Sequence, residues 1–547
     1  MIPKFLLKES IIAPAGFNRW KIPPASILIH MCLGSVYAWS VFNPALIKEL
    51  GVVGSAAGDW NLSEVFRTFS IAIVCLGLTA AFAGKWLEKV GPRCMSVFAA
   101  FFWCGGILLA SHGIQTHQIW LIWIGYGVLG GAGLGLGYVS PVSTLIRWFP
   151  DRRGMAAGLA IMGFGGGAMI AAPMKRWLLE TFASSPKSLG SVDALTLVTE
   201  GGKRFVDSAE VIISDGQAYV VGTGNTGAAA TFLVLGILYF VIMIISAFQY
   251  RVPAEGWKPK GWEPDNTTKA SKLITQNHVH IDQALKTPQF YLMWIVLCFN
   301  VTAGIGVIGV AKTMIKDIFG TSLTDIVTDS FTTTYVLMIS VFNMIGRFLW
   351  ASLSDKIGRK NTHHCFFVIG TLLYLSIPFT ADQVSANPSS LWLVIFYAVT
   401  MIIFTMYGGG FATIPAYLAD IFGSKFVGGI HGRLLTAWST AGVLGYLVVT
   451  KLRESSVNNA IDNLLTLIDP ITFKETFGSG VENIQELVEA KTVTVSKLME
   501  IAPEGTTDPT SGLYNTTMYT MAALLIIAFF ANMMIKPVDK KHHMKQE

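Results

Sequence analysis

Charge is scarce in this sequence. Only 14% of its 547 residues are Asp, Glu, Lys or Arg, against about 25% in a typical soluble chain. Nearly uncharged apolar runs of about 20 residues recur along it, the length a helix needs to cross the hydrocarbon core. With 52% hydrophobic residues and a mean hydropathy of +0.53, the chain reads as a polytopic membrane protein. Cysteine is scarce too. Cys32, Cys75, Cys94, Cys104, Cys298 and Cys365 all fall in or beside apolar runs, without CxxC or metal-ligand spacing, so they read as small hydrophobes. No cleavage site follows the first apolar block, which begins near Ile22 and continues through Tyr37 and Trp39, so that block is not a removable signal. HExxH, GxSxG and Walker motifs are missing. No enzyme activity, cofactor or metal is therefore expected. The net charge of +6 is modest and points to no nucleic-acid partner.

What is present is twelve apolar runs, near 23–46, 64–84, 94–113, 118–147, 154–180, 227–249, 289–315, 331–353, 362–382, 389–416, 429–450 and 516–536. They predict an all-α membrane protein in two halves of six spans, 23–249 and 289–536. Residues 1–22, a linker at 250–288 and a tail at 537–547 lie outside the spans. The 54 glycines suit closely packed membrane helices. Arg147, Arg152 and Arg153 follow span 4, Arg251, Lys258, Lys260, Lys269, Lys272 and Lys286 sit in the linker, and Lys536, Lys540, Lys541 and Lys545 close the chain. The short loops near 114–117 and 383–388 carry no Lys or Arg. The positive-inside rule then puts both termini in the cytoplasm of a plasma-membrane protein. Two long segments fall on the other side. Residues 181–226 include strand formers flanking Asp215-Gly216, which predicts a β-hairpin over 209–221. Residues 453–515 include an acidic amphipathic stretch from Val481 to Glu489, read as a short helix. The two insertions together form a candidate external cap with no assigned transport role.

The apolar run that begins near Phe331 carries one full positive charge. Arg347 lies in span 8, and Asn343 precedes it by one helical turn. Intramembrane arginine is costly and ordinarily faces the bundle interior, although Arg347 is close enough to the end of its span to reach the interface. A guanidinium suits a carboxylate because two parallel N–H groups match two oxygens. Downstream, Asp355, Lys356, Gly358, Arg359 and Lys360 repeat a loop that ends span 2, where Gly84 is followed by Glu88, Lys89, Gly91 and Arg93. The acid, the base, the glycine and the last base recur at a constant offset, so the halves are a repeat. This doubled loop resembles the signature of the major facilitator superfamily. The resemblance implies two six-helix bundles that rock about a central cavity, with the loops serving the conformational change.

A narrower resemblance follows from Gly34-Ser35-Val36-Tyr37-Ala38-Trp39-Ser40 in span 1, Arg147-Trp148-Phe149-Pro150-Asp151-Arg152-Arg153-Gly154 before span 5 and Lys286-Thr287-Pro288-Gln289-Phe290 opening span 7. Further segments are Phe342-Asn343 to Arg347, Ser354 to Arg359, Gly408-Gly409-Gly410-Phe411-Ala412 to Pro415, and Asp420-Ile421-Phe422-Gly423. The chain resembles the oxalate/formate antiporter family, related to the monocarboxylate transporters. That family's oxalate exchanger holds a dicarboxylate between an arginine in span 8 and a lysine in span 11, within an aromatic cage. The resemblance places Arg347 on the arginine and Tyr37, Tyr138, Phe164, Tyr407 and Phe411 on cage positions. Trp438 falls on the lysine. A second carboxylate beside Trp438 would be desolvated without a counter-ion, so a monocarboxylate such as formate, lactate or pyruvate is expected in preference to oxalate.

The related proton-coupled carriers have an aspartate where this chain has Asn343, which cannot titrate. His30 in span 1 is the remaining candidate proton site, since histidine titrates near neutrality. Anion exchange or facilitated diffusion is therefore expected ahead of proton symport. Rival readings are a metabolite or drug exporter and a carboxylate sensor without flux. The expected partners are the carboxylate substrate and the lipid bilayer, with the monomer as the working unit.

Overall fold

The computed structural model describes residues 2–200, 203–263, 273–275, 277–489 and 493–544. Lys269, Lys272 and Lys545, counted above among the basic residues of one side, lie outside them. Among the described residues, twelve helices are long and apolar enough to cross a membrane. Spans 1 to 6 are Arg19–Leu46, Leu62–Val90, Pro92–Gln115, Ile119–Trp148, Arg153–Phe182 and Ala228–Gln249. Spans 7 to 12 are Pro288–Phe319, Asp329–Ile357, Arg359–Ala386, Ser390–Phe422, Val427–Leu465 and Pro509–Met534. Local chemistry sets several boundaries. Asn61 and Glu64 cap each other's backbone N–H at the start of span 2, a reciprocal capping box. Spans 2 and 8 end at Gly91 and Gly358, whose φ values of 87° and 84° suit only glycine.

The repeat is visible in the packing. Span 1 packs on 5, 2 on 4 and 3 on 6; correspondingly 7 packs on 11, 8 on 10 and 9 on 12. The two loops behave as equivalents. Arg93 donates to the carbonyls of Phe248 and Tyr250 at the end of span 6. Lys360 donates to those of Met533 and Ile535 at the end of span 12. Each half thus ties its second loop to the close of its own last span.

The halves meet along two seams, span 5 against 8 and span 2 against 11. Both seams are lined by small residues. A Cβ on Gly158 would stand 2.8 Å from the Ala351 Cβ, and one on Gly84 would stand 2.5 Å from the Gly429 Cα. Small residues let membrane helices approach this closely.

Backbone bridges join Ile12 to Val252 and Val279 to His543. Both chain ends and the linker therefore gather on one face, called here the terminal face. The opposite, insertion face carries the two long segments. The predicted hairpin is present, as Ala209–Ser214 paired antiparallel with Gln217–Val220 through the Asp215-Gly216 turn. It forms the centre of a five-stranded sheet with Ser188–Ser191, Val198–Glu200 and Lys203–Val206. The sheet rests on the loop after span 1: Gly222 N–H donates to Leu50 O, and Ile212 packs by Gly54. Nearby, burial pushes the Glu49 carboxyl up to about 7, although the Thr226 hydroxyl donates to it; Asp59 adds to the rise.

The second insertion starts later than its sequence implies, because span 11 continues as helix to Leu465. The acidic stretch is a 3-10 turn, Val481–Asn483, running into Ile484–Glu489. Arg453, in that extension of span 11, donates to Asp317 Oδ2 of span 7 and Tyr514 Oη of span 12, each at 2.8 Å, and the short helix Val495–Glu500 of the insertion packs on span 11. Each insertion is thus seated on its own half.

Candidate functional site

Span 8 turns Arg347 inward, where the side chain is 1% exposed. It does not reach the interface. Its Nε donates to Asn343 Oδ1 at 3.2 Å, one turn back on the same helix, and one Nη donates across the seam to Ile161 O of span 5 at 3.0 Å. The guanidinium carbon lies 5.5 Å from the Phe411 ring centroid. Gly165 makes the approach of span 5 possible, since a Cβ there would stand 2.8 Å from Arg347 Nε. Among 54 glycines, nothing in the sequence sets Gly165 apart.

The six aromatic positions singled out above come together in one connected cluster. Trp438, in the first turn after a break at Leu435 in span 11, is its hub. Its ring centroid is 5.0 Å from Phe411, 5.3 Å from Tyr138, 5.7 Å from Phe164 and 6.3 Å from Tyr37. Tyr407 joins through Phe411 at 5.4 Å. Most pairs are edge-on, the arrangement ring quadrupoles favour. The Trp438 indole N–H and the hydroxyls of Tyr37 and Tyr138 are buried without a hydrogen-bond partner among the described residues, three unpartnered polar groups in one cluster. Arg347, Tyr138, Phe164, Trp438 and Phe411 are buried, whereas Tyr37, Asn343 and Met344 are half-buried.

His30 adjoins the cluster, with its ring 5.2 Å from Tyr138. Its Nδ1 faces Ala160 O at 2.6 Å and its Nε2 faces Tyr138 O at 3.0 Å. Both ring nitrogens thus face carbonyl acceptors, one on span 5 and one on span 4, and a neutral ring can donate to only one of them. Sequence reading missed two buried groups nearby. His431, 3% exposed, lies 5.9 Å from Tyr138; it stands at the very start of the apolar run predicted at 429–450 and drew no attention there. Lys175, 2% exposed, follows Pro173 near the end of a span and reads as an interfacial base.

At the terminal face the halves are latched by charge. Asp355 of span 8 accepts the Gly154 and Met155 N–H groups at 2.8 and 2.9 Å, placing a carboxylate on the N-terminus of span 5, where the helix dipole favours it. Arg359 donates to Asp355 at 2.5 Å. Asp420 of span 10 pairs with Arg153 at 3.1 Å and Arg359 at 3.3 Å. Glu88 pairs with Arg147, which also donates to Lys425 O of the other half. Gly84 lies on the second seam, against Gly429.

The sequence pattern of the Major Facilitator Superfamily matches residues 26–195 and 218–446. The chain is 25% identical over 429 residues to the oxalate:formate antiporter of Oxalobacter formigenes, covering 78% of this chain and 83% of that one. It is 22% identical over 509 residues to apicoplast pyruvate carrier 1 of Toxoplasma gondii, covering 82% and 86%. Among solved structures it resembles the Major Facilitator Superfamily transporter FucP in the outward conformation, with a TM-score of 0.52 at 14% identity over 94% of this chain and 99% of that one. That likeness shows the fold alone.

Proposed function

Because the chain belongs to the Major Facilitator Superfamily, we propose that it is a secondary transporter of small monocarboxylates, exchanging one anion for another by alternating access. The observation that carries this reading is one buried guanidinium inside an aromatic cluster, with Trp438 rather than a cation on the far side. One fixed positive charge balances one carboxylate. A dianion would leave a second charge desolvated, which is costly. The aromatic rings remove water from around the small organic part, and the unpartnered Trp438 N–H and Tyr138 hydroxyl offer hydrogen bonds to it. The antiporter of oxalate and formate and the pyruvate carrier named above are relatives with cargo of this chemistry.

Exchange is favoured over proton symport because Asn343, the residue bonded to Arg347, does not titrate. In this reading the terminal face is cytoplasmic in a plasma membrane, and the charged latch opens when the halves rock. The test is counterflow in proteoliposomes with labelled formate, lactate, pyruvate and oxalate, with and without a pH gradient. The expected result is saturable monocarboxylate exchange that a pH gradient does not drive. Preference for oxalate would overturn the single-charge argument, and uphill uptake driven by protons would overturn exchange.

A further inference from the structure

Lys175 is a buried lysine that the proposed transport cycle does not use. It lies in span 5 eleven residues beyond Phe164, which is close to three full turns, so both residues share one face about 16 Å apart along the helix. Lysine inside a membrane persists where it has partners. Here Nζ donates to Ser35 O at 2.8 Å and Ala38 O at 3.3 Å, and lies 4.6 Å from the Phe42 ring centroid.

All three partners belong to Ser35–Phe42, where span 1 leaves the α-helix for a 3-10 stretch and Ala38 adopts a non-helical φ of −91° and ψ of 26°. A break in a membrane helix disturbs the regular backbone pairing, and such groups must be met by other donors. Lys175 provides one. On the terminal side of the break, spans 1 and 5 are already in backbone contact, with Gly163 against Ile27 and Gly167 against Gly34. On the insertion side, Lys175 is the polar tie. Tyr37 lies between the two carbonyls it binds, with its ring edge-on to Phe164 at 5.4 Å.

We propose that Lys175 is a positioning residue: it clamps the broken segment of span 1 to span 5 and so holds Tyr37 in the Arg347 cluster. The clamp stands on contacts alone. Its consequence for transport rests on the reading of that cluster as the substrate site.

The experiment compares wild type with Lys175→Met, or Lys175→Gln should the methionine variant not reach the membrane, as full-length protein in nanodiscs. Amide exchange over residues 35–42 is expected to quicken by about tenfold, with 22–34 and the other spans unchanged, since exchange reports local opening. Unchanged exchange over 35–42, or an equal rise in every span, overturns the clamp. In pyruvate counterflow the variant is expected to raise KM about fivefold with Vmax little changed, and to add nothing to Tyr37→Phe, the non-additivity that coupling through one group requires. Additive losses overturn the link to Tyr37. An Arg347→Gln protein that still transports defeats the carboxylate reading and leaves the exchange result to decide the clamp.

Discussion

Replacing Arg347 by glutamine should abolish saturable monocarboxylate transport in a protein that still folds. The guanidinium spends one N–H on Asn343 and one on Ile161 O, which holds its plane and leaves further N–H groups for a carboxylate. A hydrogen bond to a charged group contributes about 1.5–3 kcal/mol. Two such bonds, less the cost of desolvating the anion, leave about 3 kcal/mol, or roughly a hundredfold in affinity. Arg347 has no acidic partner among the described residues, so its removal strands no buried anion, and the glutamine amide can still donate to one of the two oxygens. Arg347→Lys keeps the charge but loses the planar fork. It should fall between, about tenfold weaker than wild type. The assay is counterflow KM in proteoliposomes, with thermal unfolding in detergent to confirm folding. A glutamine variant whose KM stays within about threefold of wild type, a change under 1 kcal/mol, would refute the carboxylate clamp.

Trp438→Lys should bring dicarboxylates into competition, because it sets a second cation in the cluster that Arg347 joins through Phe411; unchanged competition by oxalate would count against the single-charge argument. Asp355→Asn removes the charge from the span 5 N-terminus and from Arg359, which weakens the terminal latch by about 2 kcal/mol. A cysteine placed beneath the latch should then label at least about tenfold faster from the terminal face. Glu49 gives a pH dependence. Its folded value, about 7, lies above the roughly 4.3 of a free glutamate, so the native state binds the extra proton. The resulting stability is full below about pH 4.3 and is lost as pH rises through 7. Thermal unfolding at pH 5 and pH 8 should show this loss in wild type, and Glu49→Gln should flatten it.

Much of the architecture was legible because membrane crossing imposes its own pattern. An apolar run of fixed length has no alternative use, so the twelve spans stand out from composition alone. The glycines of the doubled loop were legible for a similar reason: the backbone at Gly91 and Gly358 turns through positive φ, which other residues resist. Arg347 announced itself as a charge among hydrocarbon.

Other features had no such signature. Lys175 and His431 stand at the edges of apolar runs, where a base ordinarily meets water, and only the packing of span 5 on span 1 and of span 11 on span 4 buries them. Gly165 resembled its neighbours in a glycine-rich run until the seam brought it against the guanidinium. The extension of span 11 to Leu465 is polar and carries no apolar period to mark it.

By itself, then, the sequence determined the number of spans, the internal repeat and Arg347 as a charge within span 8, because each follows from local composition or spacing. Only the tertiary structure decided that Trp438 is the hub of the cluster, that Asp355 caps a helix of the other half, and that Lys175 grips the break in span 1. Those are contacts between residues far apart in the chain, and it is the packing of one helix on another that selects them.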